Sequence, residues 1–279
     1  MTALARSYLY VPGDRADRLA GADSRGADAL IADLEDAVAP GAKAAARAGV
    51  GRWLATGGAS QRWVRVNVDS LAEDIDAVVT PALTGIVVPK GEPDRLREVA
   101  GRLDALEDER GIAAGSIALI PLIESALGLL EVATIARLPR IHRIGIGEAD
   151  LTADLGLVPD DARTELAPLR LQLVVASAAA GLARPVGPTS TAFRDLDAFR
   201  TSARDLYRLG FRARTAIHPS QLAVIHEVFT PSAEDVATAR DLVERFEAAG
   251  GGGTLDADGR FVDLAVIRSA REVLATAGL

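Results

Sequence analysis

At 279 residues the chain is longer than most single domains, yet α/β barrels commonly form one domain of about 250 residues. The formal net charge of −8 argues against a nucleic-acid or anionic-membrane binder. The absence of cysteine excludes disulfides, thiolate metal sites and a cysteine nucleophile. The N-terminus has no apolar segment of signal-peptide length, and no stretch approaches about 18 uncharged apolar residues, so we expect a cytoplasmic protein that does not cross a membrane.

Short apolar runs alternate with segments of helical spacing along most of the chain, a pattern typical of a parallel sheet that is covered on both faces. Eight such units favour a closed TIM (β/α)₈ barrel over an open doubly wound sheet. The predicted strands are Ser7–Val11, Ala29–Leu34, Trp63–Val68, Gly85–Pro89, Ala118–Ile123, Ile141–Gly147, Ala183–Val186 and Thr215–His218. Helices are predicted, among others, over Asp94–Arg110, Thr164–Gly181 and Leu196–Leu209.

Beyond His218 the pattern changes to a helical and hairpin appendage. Its predicted elements are helices over Ser220–Phe229 and Ser232–Ala249, a glycine hinge over 250–253, a short hairpin over Thr254–Val262 that turns at Asp258–Gly259, and a last helix from about Asp263. This tail is too short for a separate domain. We therefore predict a single TIM-barrel domain over 1–279, with the barrel at about 6–228 and the appendage at about 229–279.

Polar residues stand where the predicted strands end. In a TIM barrel the active site lies at the carboxyl ends of the strands, so these side chains are expected to meet at one rim. They are Asp33, Glu35 and Asp36 after the second strand, Arg65 and Asn67 in the third, Pro89-Lys90 after the fourth, Glu124 after the fifth, Glu148 and Asp150 after the sixth, and His218 after the eighth.

Several carboxylates without cysteine and with little histidine indicate an all-oxygen site, which suits Mg²⁺, with Mn²⁺ as the alternative. Glu124 and Asp150 are the predicted direct ligands, because a bare carboxylate at the end of a buried strand would be costly. The alternative for Glu124 is that it only caps the helix that begins near Ser125.

Arg65 lies inside an apolar strand, where an arginine should pair with a carboxylate or a ligand. Asp33, Glu35 and Asp36 are candidate catalytic residues that would orient Arg65 or hold metal-bound water; simple capping of the turn is the alternative. Pro89 and Lys90 are candidate substrate-binding residues, although a lysine in a loop is often only solvated.

At these residues the chain resembles the citrate lyase beta-chain branch of the HpcH/HpaI aldolase superfamily, from Tyr8 to Asp263. The ordered set of segments carries the resemblance: Ala32-Asp33-Leu34-Glu35-Asp36, Val64-Arg65-Val66-Asn67, Val88-Pro89-Lys90, Leu122-Ile123-Glu124-Ser125-Ala126, Gly147-Glu148-Ala149-Asp150-Leu151 and Ile217-His218-Pro219-Ser220-Gln221.

The resemblance implies a Mg²⁺-dependent TIM barrel that forms a homo-oligomer, often a trimer, and acts on acyl-CoA or related thioesters. The family's metal ligands map onto Glu124 and Asp150, and its substrate-binding arginine onto Arg65. A catalytic aspartate that relatives supply across a subunit interface maps onto Asp263. The segment that meets CoA phosphates in relatives resembles Pro12-Gly13-Asp14-Arg15 through Arg18, which makes Arg15 and Arg18 candidate substrate-binding residues.

Two departures from the family pattern concern the mouth of the barrel. Relatives commonly carry Glu directly before the ligand Asp, whereas this chain has Ala149 there and Glu148 one position earlier. After the seventh strand many relatives have an Ile-Asp pair, whereas this chain reads Pro185-Val186-Gly187-Pro188-Thr189.

The predicted reaction is a retro-Claisen cleavage of a malyl-, citramalyl- or citryl-type thioester, in which Arg65 stabilises negative charge and Asp263 exchanges a proton with the enolate carbon. Two alternatives stay open: a malyl-CoA-type thioesterase on the same metal site, and a non-catalytic subunit that binds an acyl thioester.

Overall fold

In a computed structural model of the protein, which describes residues 4–250, 253–256 and 259–278, eight parallel strands close into a barrel in the order β1 to β8. The predicted TIM-type α/β fold is therefore confirmed. The strands are β1 (Ser7–Pro12), β2 (Ala29–Asp33), β3 (Gln61–Arg65), β4 (Gly85–Val88), β5 (Ala118–Ile123), β6 (Gly145–Ile146), β7 (Val186–Gly187) and β8 (Ala213–Ala216).

Helices follow the strands and cover the barrel, as expected for a parallel sheet whose connections cross over it. Within α4 the buried residues Leu96, Val99, Leu103 and Leu106 recur every three or four positions, so one face of the helix is apolar. The helices of this part are α1 (Ala16–Ala20), α2 (Lys43–Ala55), α3 (Leu71–Val78), α4 (Pro93–Glu109), α5 (Ala126–Leu130), α6 (Val132–Ile135), α7 (Glu148–Leu155), α8 (Ala167–Ala179), α9 (Leu196–Leu209) and α10 (Ser220–Phe229).

The strand register aligns the residues on which the site depends. Asp33 is level with Pro12 on one side and with Arg65 on the other, and Leu122 is level with Gly145. Because neighbouring parallel strands share the direction of their side chains at paired positions, these residues point to the same side of the sheet. A buried apolar cluster that includes Tyr8, Ile31 and Trp63 lies inside the barrel.

Some observed strands are shorter than predicted or begin earlier. β7 is limited to Val186–Gly187 because the flanking Pro185 and Pro188 cannot donate ladder hydrogen bonds. The eighth strand begins at Ala213, two residues before the predicted start, because the buried Arg214 pairs with Ser7 of β1. An arginine at that position interrupts the apolar run from which the start of the strand would be predicted.

Two compact units make up the chain. One covers Ala5–His226, and the other comprises Leu4 and the described residues from Glu227 onwards. The second unit contains α11 (Ala233–Ala248), an antiparallel pair of β9 (Thr254–Leu255) and β10 (Phe261–Val262), and α12 (Leu264–Thr276). Phe246, Val262 and Ile267 form its core. The predicted glycine hinge and the turn at Asp258–Gly259 lie partly outside the described residues, and the single-domain assignment stays a prediction.

Within the described ranges, none of the helices has both the length and the apolar character needed to span a membrane.

Candidate active site

A cavity of about 790 Å³ opens at the carboxyl ends of the barrel strands, and its lining belongs to the unit of residues 5–226. Polar residues at the ends of six strands line its upper part. Those at positions expected from the sequence are Asp33 and Asp36 at the end of β2 and after it, Arg65 at the end of β3, Glu124 after β5, Glu148 and Asp150 after β6, and His218 after β8. Thr189 and Thr191 after β7 line it as well.

Arg65 joins three carboxylates at the rim. Its Nε and Nη2 donate to the two oxygens of Asp33 at 2.7 and 2.6 Å, and its Nη1 lies 2.6 Å from Glu35 and 3.1 Å from Asp36. The guanidinium also lies 5.0 Å from the centre of the Tyr10 ring. Its side chain is only 13% exposed. A planar guanidinium with five donors is suited to such simultaneous pairing, and this holds Arg65 in one orientation facing the cavity.

The turn after β2 brings these acids to the arginine. Asp33 is buried, and its carboxylate accepts hydrogen bonds from the backbone N–H groups of Glu35 (3.0 Å) and Ala37 (3.2 Å). The backbone N–H of Leu34 donates to the carbonyl of Arg65 at 2.9 Å. Asp33 therefore both shapes the turn and orients Arg65, which unites the two roles that the sequence left as alternatives.

Burial and the neighbouring carboxylates Asp36, Glu124 and Asp33 raise the pKa of Glu35 to about 8, although its ion pair with Arg65 acts in the opposite direction. The pKa rises because the single guanidinium is already shared with Asp33 and Asp36, while burial penalises each further charge. Negative charge thus exceeds positive charge on this side of the site.

Glu124 and Asp150 face the same cavity. Glu124 is 5% exposed, and its Oε1 accepts a 2.7 Å hydrogen bond from the backbone N–H of Lys90. Burial, together with Asp150, raises the pKa of Glu124 to about 7. Asp150 is exposed in the first turn of α7, where the helix dipole favours a carboxylate. Gly147 leaves room for this pair, because a Cβ there would lie 2.2 Å from Oε2 of Glu124.

A divalent cation fits this arrangement. The described residues contain no group of three or more His, Cys, Asp or Glu side chains placed to hold a metal ion. Mg²⁺, however, typically takes one or two carboxylates and keeps its other positions for water and substrate oxygens. Glu124 and Asp150 would supply those two, and a cation held there would favour the ionised form of Glu124, whose pKa burial and Asp150 raise.

The opposite wall carries a second ion-pair cluster that the sequence did not single out. Glu148 is buried, and both of its oxygens accept from Arg170 of α8, at 2.6 and 3.0 Å. Arg163 lies 3.1 Å from the same carboxylate. Since Glu148 begins α7, this cluster fixes the helix turn that carries Asp150. The shift of the glutamate by one position relative to the family pattern thus places it in the wall, paired with arginine.

Of Arg15 and Arg18, which the resemblance makes candidate substrate-binding residues, only Arg18 lies at the cavity. Arg18 lines the cavity, as does Arg25, which the sequence reasoning missed. Arg15 is exposed, pairs with Asp17 at 3.1 Å and is not part of the lining. Nothing in the sequence pattern distinguishes Arg25 from a solvated arginine.

Pro89 is buried, Lys90 is exposed, and neither belongs to the cavity lining. Lys90 contributes through its backbone: it adopts φ = 44°, a left-handed conformation rare for a side-chain-bearing residue, and its N–H reaches Glu124. Strained backbone of this kind tends to occur at functional sites. The structure thus supports a role for the Lys90 amide in place of its side chain.

Asp263 lies in the other unit, where it caps α12 by accepting from the backbone N–H groups of Ala265 (2.8 Å) and Val266 (3.1 Å). Its participation in catalysis stays a prediction.

The fold and the site together define a TIM-barrel protein with an arginine and a pair of carboxylates at its mouth. The sequence model of the HpcH/HpaI aldolase/citrate lyase family matches residues 6–219, and the chain belongs to this family. The resemblance seen in the sequence is therefore confirmed.

Relatives match over nearly the whole chain. A citrate lyase subunit beta-like protein of Deinococcus radiodurans is 35% identical over 98% of this chain and 97% of its own. A (3S)-malyl-CoA thioesterase of Cereibacter sphaeroides is 33% identical over 98% of this chain and 94% of its own. The crystal structure of the protein CitE of Mycobacterium tuberculosis, in complex with magnesium, acetoacetate and coenzyme A, is 27% identical, covers all of both chains and superposes with a TM-score of 0.77.

Proposed function

We propose that the protein is a Mg²⁺-dependent carbon–carbon lyase that cleaves a 3-hydroxyacyl-CoA thioester by retro-Claisen chemistry. The observation that carries the proposal is the convergence of Glu124, Asp150 and the carboxylate-clamped Arg65 on one cavity. A relative of the same fold, with magnesium, acetoacetate and coenzyme A in its crystal structure, supports it.

The reaction converts the hydroxyl-bearing carbon into a carbonyl and the thioester fragment into acetyl-CoA. The hydroxyl loses its proton, its oxygen forms the C=O bond, the C–C bond breaks, and the thioester enolate takes up a proton at carbon. Bound Mg²⁺, held by Glu124 and Asp150, would supply Lewis acidity that lowers the pKa of the substrate hydroxyl. Arg65 stabilises the negative charge that develops at the rim, and Asp33 and Glu35 keep it in place.

Arg18 and Arg25 provide positive charge in the lining, where they meet the phosphates of the CoA moiety. The proposed enzyme acts as a homo-oligomer, for which the family resemblance favours a trimer. Its mass in solution, measured by light scattering after gel filtration, tests this assembly.

The direct test is incubation with malyl-CoA and with citramalyl-CoA, with Mg²⁺ or with EDTA, followed by mass spectrometry. Metal-dependent formation of acetyl-CoA with glyoxylate or pyruvate is expected. The variant Glu124→Gln, which keeps the shape of the side chain and removes its charge, should abolish product formation and weaken Mg²⁺ binding measured by calorimetry. The matched control Glu98→Gln, at an exposed position of α4, should retain both.

A thioesterase is the second candidate, favoured by the relatives that carry that name. It would release free hydroxy acid and CoA in the same assay.

Unimpaired Mg²⁺ binding in Glu124→Gln would contradict the site assignment itself. A protein that binds the thioesters without turning them over would be a non-catalytic binding subunit.

A further inference from the structure

The cavity continues below the level of the catalytic side chains, into the barrel. On β5 and just after it, Glu124, Leu122 and Ile120 all line the cavity, and they alternate with residues that point outward. Two residues along a strand span about 6.6 Å, so the lining extends over roughly 13 Å from Glu124 down to Ile120. Most TIM barrels fill this space with packed side chains.

The lower part of the cavity is apolar. The charged lining residues on β2 and β3 and after β5 are Asp33, Arg65 and Glu124, each at the carboxyl end of its strand. Below them the lining consists mainly of aliphatic and aromatic side chains. They are Ile31, Val87, Ile120, Leu122, Val186 and the ring of Tyr8.

Gly145 on β6 is level with Leu122 and lines the cavity. A Cβ there would lie 2.7 Å from Cδ2 of Leu122, so the side chain of Leu122 occupies the room that a side chain on β6 would take. Two polar side chains interrupt the apolar surface: the hydroxyl of Thr215 donates to the carbonyl of Gly187 at 3.0 Å, and the buried hydroxyl of Tyr8 lies close to the guanidinium of Arg143.

The geometry of the substrate carbon shows what this space would hold, given the proposed function on which the inference rests. The carbon that bears the hydroxyl has four substituents. The hydroxyl and the carboxylate are held at the level of Glu124, Asp150 and Arg65, and the methylene that leads to the thioester must run outward to the bulky CoA. The fourth substituent therefore points down the barrel, into the apolar lower part of the cavity. This floor is lined by Ile31, Val87, Ile120, Leu122, Val186 and the ring of Tyr8.

We propose that the fourth substituent is an alkyl chain longer than methyl, so that the products are acetyl-CoA and a 2-oxo acid with an alkyl side chain of about three carbons. The atoms balance as in the reaction above, since the branch takes no part in the chemistry. A branch that ends in carboxylate is disfavoured, because its charge would be buried mainly among aliphatic side chains.

The test is a substrate series in which the branch is hydrogen, methyl, ethyl, propyl, butyl or carboxymethyl, with acetyl-CoA release followed at saturating Mg²⁺. We expect kcat/KM to rise about tenfold with each methylene up to propyl, the discrimination that an apolar pocket gives per methylene. Calorimetric titration should show 2-oxopentanoate binding more tightly than pyruvate. An optimum at hydrogen, methyl or carboxymethyl would overturn the inference and leave the lyase assignment standing. Failure to cleave any member would overturn both.

Two variants locate the branch. In Gly145→Ala the new Cβ would lie 2.7 Å from Cδ2 of Leu122, so the space shrinks, and the ratio of kcat/KM for propyl over methyl should fall at least tenfold. In Ile120→Val the space grows, and the optimum should move about one carbon longer. The control Ile86→Val, which removes the same methylene from a buried position on β4 outside the cavity lining, should leave the optimum where it is. If Ile120→Val and Ile86→Val behave alike, the branch does not occupy the floor.

Discussion

Replacing Glu35 with glutamine should stabilise the metal-free protein at alkaline pH. The folded protein holds the proton of Glu35 up to a pKa of about 8, whereas an unfolded glutamate releases it near 4.5. Between these values the folded state binds more protons than the unfolded state, so the free energy of unfolding falls as pH rises. The stability that this group contributes is fully present below pH 4.5 and is lost as pH rises through about 8.

The size of the effect follows from the same two values. One pH unit corresponds to 1.36 kcal/mol per proton, so the interval from 4.5 to about 8 gives about 5 kcal/mol as an upper limit. Glutamine keeps the volume and an acceptor oxygen for Arg65 but never ionises. We expect Glu35→Gln to match the wild type within about 1 kcal/mol at pH 5 and to exceed it by about 2–4 kcal/mol at pH 8.5.

The assay is urea unfolding in EDTA at half-unit steps from pH 5 to pH 8.5, followed by circular dichroism. The control Glu98→Gln, at an exposed helix position, should differ from the wild type by a constant amount at every pH. A constant difference for Glu35→Gln as well, or a variant less stable than the wild type at pH 8.5, would refute the reasoning. It would mean that Arg65 compensates the charge of Glu35 in full.

Two further substitutions test how the site is built. Gly147→Ala places a Cβ 2.2 Å from a carboxylate oxygen of Glu124, so it should weaken Mn²⁺ binding, measured by calorimetry, by tenfold or more. The control Gly101→Ala, with open space around the new Cβ, should bind Mn²⁺ normally. Equal affinities of the two variants would contradict the crowding at Glu124. Arg170→Met removes the main partner of the buried Glu148 and should lower the free energy of unfolding by about 3–5 kcal/mol. The control Arg137→Met, at an exposed position, should lower it by less than about 0.5 kcal/mol. A loss below about 1 kcal/mol for Arg170→Met would show that Arg163 alone is a sufficient partner for Glu148.

The positions of the charged site residues were predictable because, in a parallel barrel, the place of a residue relative to its strand determines the end of the barrel at which it lies. Polar residues directly after apolar strands must lie at the carboxyl rim, and so Asp33, Arg65, Glu124 and Asp150 were found without any knowledge of contacts. The strands themselves were predictable where apolar residues run together, as in β2 and β5, and less so in β8, where Arg214 interrupts the pattern.

By itself, then, the sequence determined the barrel, its rim and the kind of metal the rim suits, because these depend on local runs of residue types and on their order. Only the tertiary structure decided that Glu148 pairs with Arg170, that the Lys90 amide donates to Glu124, that Arg25 joins the lining in place of Arg15, and that the cavity continues to Ile120. Each of these depends on side-chain directions and on contacts between residues far apart in the chain. Such contacts form only when the strands are brought into register.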